Sequence, residues 1–142
     1  MQPFLSEALF EHLMRLCRAY DLSHTSNHRL HAERSRLIRA WSGFFSDHCV
    51  VIAPNWARPV WPIDADLDPA SGIALLQDTV RFITPGNLLG IPCLALPMGL
   101  AEGLPTGIQI CADLWREDLC LAAAEIIEAG VGPASPIDPI RI

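Results

Sequence analysis

"TPGNLLGIPCLALPMGLAEGLPTGIQI", residues 84–110, is apolar enough to belong to a core, yet Pro85, Pro92, Pro97 and Pro105 and the glycines at 86, 90, 99, 103 and 107 break it at short intervals. Such punctuation predicts short elements separated by tight turns. Thr84 suits a helix N-cap, Pro85 the first helical position and Gly90 the left-handed residue past the end, so "TPGNLLG" reads as a helix of one to two turns. Pro92 blocks its continuation. "CLALPM" (93–98) and "TGIQICA" (106–112) then read as strands joined by "GLAEGLP", whose Gly99 and Gly103 supply conformations that a Cβ disfavours. An antiparallel hairpin is the expected result.

Working outward, residues 5–20 place Leu5, Leu9, Leu13, Leu16 and Cys17 on one face of a 3.6-residue period. Residues 28–46 do the same with Leu30, Leu37, Ile38, Trp41, Phe44 and Phe45, leaving Arg29, Arg36 and Arg39 off the stripe. "CVVIAP" (49–54) is a short β-branched run, read as a strand buried on both faces. "NWARPVWPIDADLDPASG" (55–72) reads as a long irregular loop, and a loop of that length in a compact domain is usually functional or tied to something else. Helices follow at about 73–82 and, beyond the hairpin, 116–129, the latter with Glu117 and Asp118 in its first turn and Gly130 at its end. The proline-rich tail "VGPASPIDPIRI" reads as a cover strip. The order α-α-β-loop-α-α-β-β-α predicts a single α/β or α+β unit over residues 1–142, a sheet with helices on its faces, and only three strands are evident.

The formal charge is −6 and all ten basic residues are Arg, scattered along the chain, so there is no electrostatic footprint for nucleic acid. No apolar run approaches the roughly 20 residues of a membrane span and no signal-peptide pattern opens the chain, so a cytoplasmic, non-membrane protein is expected. The five cysteines lack C-x-x-C spacing and read as small buried hydrophobes of a reducing compartment rather than a disulfide framework or metal site.

Chemistry is sparse. None of Ser6, Ser23, Ser26, Ser35, Ser42, Ser46, Ser71 and Ser135 lies in a G-x-S-x-G or Gly-flanked tandem. His24, His28 and His31 recur at near-helical spacing, but the first falls at a helix entry, and His12 and His48 have no partner at a diagnostic spacing. "DADLD" (64–68) begins like a calcium loop, yet Pro69 and Leu75 occupy the positions that require Gly and Glu. No metal and no cofactor are expected, and no glycine pattern for a phosphate cradle is present.

"RFITPGNLLGIPCLALPMGLAEGLPTGIQICA" resembles the C-terminal hallmark of the amidase signature family, with Thr84, Asn87, Gly90, Pro92 and Pro97 in its first part and Gly103, Leu104, Pro105, Gly107 and Gln109 in its second. "RAWSGFFSDHCVVIAPNWARPVWP" and "REDLCLAAAEIIEA" resemble the flanking helix, strand and closing helix, so the similarity covers residues 30–142 well and 1–29 loosely. The resemblance implies the C-terminal part of a large mixed sheet flanked by helices. It also implies a carbon–nitrogen hydrolase that cleaves amides with a Ser, a second Ser in cis peptide linkage and a Lys base, all placed upstream of the matched segment.

None of those groups can be assigned here, because the chain has no Lys and no Gly-Ser-Ser tract, and serine attack needs a positioned base. No catalytic residue is therefore named, and the isolated chain is expected to be inactive, a truncated or split part of an amidase. The alternative is a degenerate non-catalytic domain that serves binding or assembly. Trp56 and Trp61, just past a strand's C-terminal end, are candidate substrate-wall residues, and Asn87 a candidate pocket-side hydrogen-bonding group; ordinary packing or backbone satisfaction is the competing role of each. Gln109, Trp41 and Trp115 read as structural. The expected partner is the missing N-terminal amidase segment, with self-association in its absence and a small-molecule amide as substrate only of the complete enzyme.

Overall fold

The computed structural model describes residues 6–19 and 25–132; the expectations for Leu5, His24 and the proline-rich tail beyond 132 lie outside the described residues. Helix α1 spans Glu7–Ala19 and starts where the Ser6 hydroxyl accepts the Leu9 N–H, 3.3 Å. Helix α2, Asn27–Phe45, is capped in the same way by Ser26, which accepts from the Arg29 N–H. Strand β1 (Val51–Pro54), a single 3₁₀ turn (Ala65–Leu67), helices α3 (Gly72–Thr79) and α4 (Ile83–Leu89), strands β2 (Cys93–Ala101) and β3 (Leu104–Cys111) and helix α5 (Glu117–Val131) complete the order.

The sheet runs β1-β3-β2 with both pairings antiparallel, so β3 is central. The hairpin turns at Glu102 (φ 53°) and Gly103 (φ 79°), two consecutive left-handed residues, which is the geometry that matches strand twist in two-residue loops. Gly99 (φ 95°) serves a different purpose from the expected turn: the register shifts between Pro97 and Gly99, and the glycine absorbs that bulge.

Side chains alternate across β3, so Ile108 and Ile110 face α5 while Gln109 and Cys111 face α2 and α4. On the first face Leu96, Ile110, Ala112, Cys120 and Ala124 form the core; on the second, Phe45, Leu89, Ile91 and Cys111 do. Helix α5 packs on β2 and β3. That leaves Ile52 of β1 53% exposed, so β1 is an edge strand with one bare face rather than one buried on both.

Four further local expectations are corrected. Thr84 lies inside α4 and returns its hydroxyl to the Val80 carbonyl, 3.0 Å, because the chain enters α4 through a Val80–Ile83 turn instead of an extended cap residue. Gly130 is helical, and Gly132 (φ 81°) is the residue past the end of α5. Trp115, at φ 64° and 85% exposed, does not pack. Cys111 and Cys120 are buried, but Cys17, Cys49 and Cys93 are exposed.

Gly72 shows how tightly the irregular segment is held. A Cβ at this buried position would overlap the Asp66 backbone carbonyl, so α3 begins against the 3₁₀ turn with no room for a side chain. Gly72→Ala should cost about 1–3 kcal/mol by forcing backbone apart. Gly130→Ala, with open space around the added carbon, should instead be neutral or stabilise by about 0.5–1 kcal/mol. Urea denaturation of the two variants measures the contrast.

Candidate functional site

The loop after β1 is anchored at its start. The Asn55 N–H donates to the Gly107 carbonyl, 3.3 Å, and the Ala57 N–H to the Thr79 carbonyl, 3.0 Å, which ties the loop to β3 and to the end of α3. Between and beyond these ties the rings of Trp56 and Trp61 meet at 4.6 Å with a 47° tilt. Trp56 is 46% exposed and Trp61 half-buried, so the pair presents an aromatic surface at the carboxyl end of a strand. Arg58 pairs with Asp78, which Arg81 also approaches at 3.1 Å. The Arg58 hydrogen bond, aided by the charges of both arginines, holds the Asp78 carboxyl below the usual aspartate range.

Gln109 organises this end of the sheet. Its buried amide donates to the Phe82 carbonyl, 2.6 Å, and to the Pro54 carbonyl, 3.3 Å. One side chain of β3 thus fastens both the strand end that launches the tryptophan loop and the residue preceding α4. Two residues earlier, a Cβ on Gly107 would stand 2.9 Å from the Leu96 carbonyl, so glycine permits the close passage of β2. The Gly-x-Gln spacing is therefore a structural device. Asn87 sits on the exposed side of α4, and among the described residues no hydrogen bond joins it to the tryptophan pair. The structure brings Trp56 and Trp61 together and leaves Asn87 facing solvent.

Among the described residues no serine hydroxyl is hydrogen-bonded to a histidine. The Ser35 hydroxyl donates to the His31 carbonyl, Ser46 to Gly43 and Ser42 to the Asp113 carboxylate at 2.8 Å, while Ser6 and Ser26 cap helices. Ser71 donates to Asp68, which also accepts the N–H groups of Ser71 and Ala70; these bonds, the Ser71 N–H foremost, hold the Asp68 carboxyl low. That aspartate closes a turn. His28 and His31 are exposed on α2, and no group of three potential ligands occurs among the described residues.

An apolar groove of about 340 Å³ lies elsewhere, between α2 and β1, lined by Ala40, Trp41, Phe44 and Val51. The helical stripe in the sequence pointed to Trp41 and Phe44; Ala40 carries no such signal. Trp41 is half-buried against Phe45, 5.7 Å between ring centres. Trp41→Ala should therefore cost about 2 kcal/mol, short of a full core truncation, and Trp56→Ala under about 1 kcal/mol. Equal denaturant midpoints for the two variants would contradict these placements.

Comparison with known proteins fits this arrangement. Residues 2–121 match the amidase family. The chain is 39% identical over 102 residues to an indoleacetamide hydrolase of Bradyrhizobium diazoefficiens, covering 71% of this chain and 20% of that protein. It is 36% identical over 98 residues to a fatty acid amide hydrolase of Arabidopsis thaliana, covering 67% of this chain and 16% of the relative. The crystal structure of one glutamyl-tRNA(Gln) amidotransferase subunit from Thermotoga maritima superposes with a TM-score of 0.63 at 20% identity, covering 87% of this chain and 26% of that one, and shows the shared fold. The chain spans about a fifth of the length of the curated relatives it matches. With its three strands, its glycine-spaced hairpin and a match running through most of its length, the chain belongs to the amidase family and corresponds to a fragment of an amidase-signature domain.

Proposed function

We propose that this chain is the C-terminal portion of a carbon–nitrogen hydrolase that cleaves amides, and that the serines and lysine base are supplied by amidase sequence outside these 142 residues. The observation that carries the reading is the family match in a chain without Lys, whose described serines are engaged in caps, turns, helix-carbonyl or carboxylate contacts. Relatives named for hydrolysis of indoleacetamide and fatty acid amides support a small-molecule amide as the substrate of the assembled enzyme. Trp56 and Trp61 offer it an apolar wall, and Asn87, exposed on α4, is available to a carbonyl or amide once a partner encloses it.

The partner's seat is the pair of sheet edges. Strands β1 and β2 each pair only with β3 in the described sheet, leaving backbone groups open on their outer sides. On them Ile52 of β1 and Leu100 of β2 are exposed. No described helix is long and apolar enough to cross a membrane, and a cytoplasmic site of action accords with five free cysteines.

Size-exclusion chromatography with light scattering at micromolar concentration tests the assembly. The chain alone should run as associated species, and an added amidase segment carrying the Ser and Lys region should convert it to a defined one-to-one complex. A compact monomer with a sharp thermal transition that ignores the segment would overturn the reading in favour of an independent binding module.

A further inference from the structure

Cys93 opens β2, Cys111 closes β3, and the register sets them directly opposite one another. Opposed Cα atoms in an antiparallel pair stand about 4.5–5.5 Å apart. That lies within the roughly 4.4–6.8 Å a disulfide bridges. The two sulfurs are 3.2 Å apart, with one thiol donating to the other. A Cβ on Gly86 of α4 would come within 2.5 Å of the Cys93 Sγ, so the helix leaves the space in which that sulfur sits. Access differs sharply between the two: Cys93 is exposed and Cys111 buried. The third nearby thiol, Cys120, belongs to the core on the other face of the sheet and donates to the Ile110 carbonyl at 3.3 Å.

We propose that Cys93 and Cys111 form a reversible peroxide-oxidation site, with Cys93 taking the oxidant and Cys111 resolving it into a cross-strand disulfide. Hydrogen peroxide transfers one oxygen to the Cys93 sulfur, giving a sulfenic acid and one water. The Cys111 sulfur then attacks the Cys93 sulfur; the S–O bond breaks and the hydroxyl leaves with the Cys111 proton as a second water. Two thiols lose two electrons and two protons, and peroxide accepts both. Burial, reinforced by the neighbouring Cys93 thiol, pushes Cys111 up to about 12, so Cys93, the more accessible residue of the two, is the one that meets oxidant first. The bond would clamp the hairpin at the end opposite its Glu102–Gly103 turn. This site is independent of the proposed hydrolase function.

The test uses the full chain with Cys17→Ser and Cys49→Ser, treated with hydrogen peroxide in buffer and in urea and digested without reduction for mass spectrometry. In buffer the Cys93–Cys111 peptide should exceed links to Cys120 by about tenfold or more, through the high local concentration of the facing thiols. Two thiols should disappear together and return with dithiothreitol; Cys93→Ser or Cys111→Ser should abolish the effect, and Gly86→Ala should slow it. In urea the preference should vanish. Mixing isotope-labelled and unlabelled chains should yield no mixed-label link. Cys93 sulfinic acid without the link, pairing ratios equal to those in urea, or mixed-label links would each overturn the proposal.

Discussion

Ile110→Ala should remove about 2–5 kcal/mol of stability, the range for truncating a buried Ile to Ala. Ile110 is 0% exposed in the central strand, paired laterally with Ile52 and Leu94 and packed in the cluster of Leu96, Ala112, Cys120 and Ala124. Strands on both sides and a helix above restrict collapse into the space left behind, which favours the upper part of the range. The loss weighs heavily because only nine apolar residues are buried among the described ones, while seventeen large apolar residues are exposed. The control is its lateral neighbour: Ile52→Ala, 53% exposed, should cost under about 1 kcal/mol in the chain alone. Urea midpoints read both, and similar costs would mean that β3 is not the centre of the fold.

This contrast marks what the sequence could convey. Hydrophobic period and turn chemistry located every α-helix and strand that the described residues contain, and Gly90 at φ 74° ends α4 as its position suggested. The same signals are silent on which face receives cover. Val51 and Ile52 are equally apolar, yet the first packs against the α2 side and the second lies bare, because cover depends on where α5 lands. Trp56 and Trp61 were legible as neighbours of a strand end, but their ring contact arises from a loop fixed by Gln109 and Thr79, groups distant in sequence. Asn87 was legible as a motif residue only, and among the described residues it is exposed on α4.

Amide hydrolysis should be at background for this chain and should rise by about a thousandfold or more when a segment bearing the family's serine and lysine region is supplied. The first half follows from composition: the Lys base that the family's reaction uses is missing, and among the described residues no serine hydroxyl is hydrogen-bonded to a histidine. The second half follows from rate enhancement, since enzymes exceed uncatalysed rates by roughly a million-fold or more and a partly misaligned reassembly retains a fraction of that. The effect must run through this chain. In the reconstituted enzyme Trp56→Ala and Asn87→Ala should raise KM or lower kcat with little loss of stability, whereas Ile110→Ala should prevent assembly. The most direct measurement is therefore turnover of a panel of simple aryl and alkyl amides by the chain alone, the segment alone and the two together. Turnover is expected only in the mixture; turnover by the purified chain alone that a mutation in it abolishes, or a mixture no more active than its parts, would contradict the assignment.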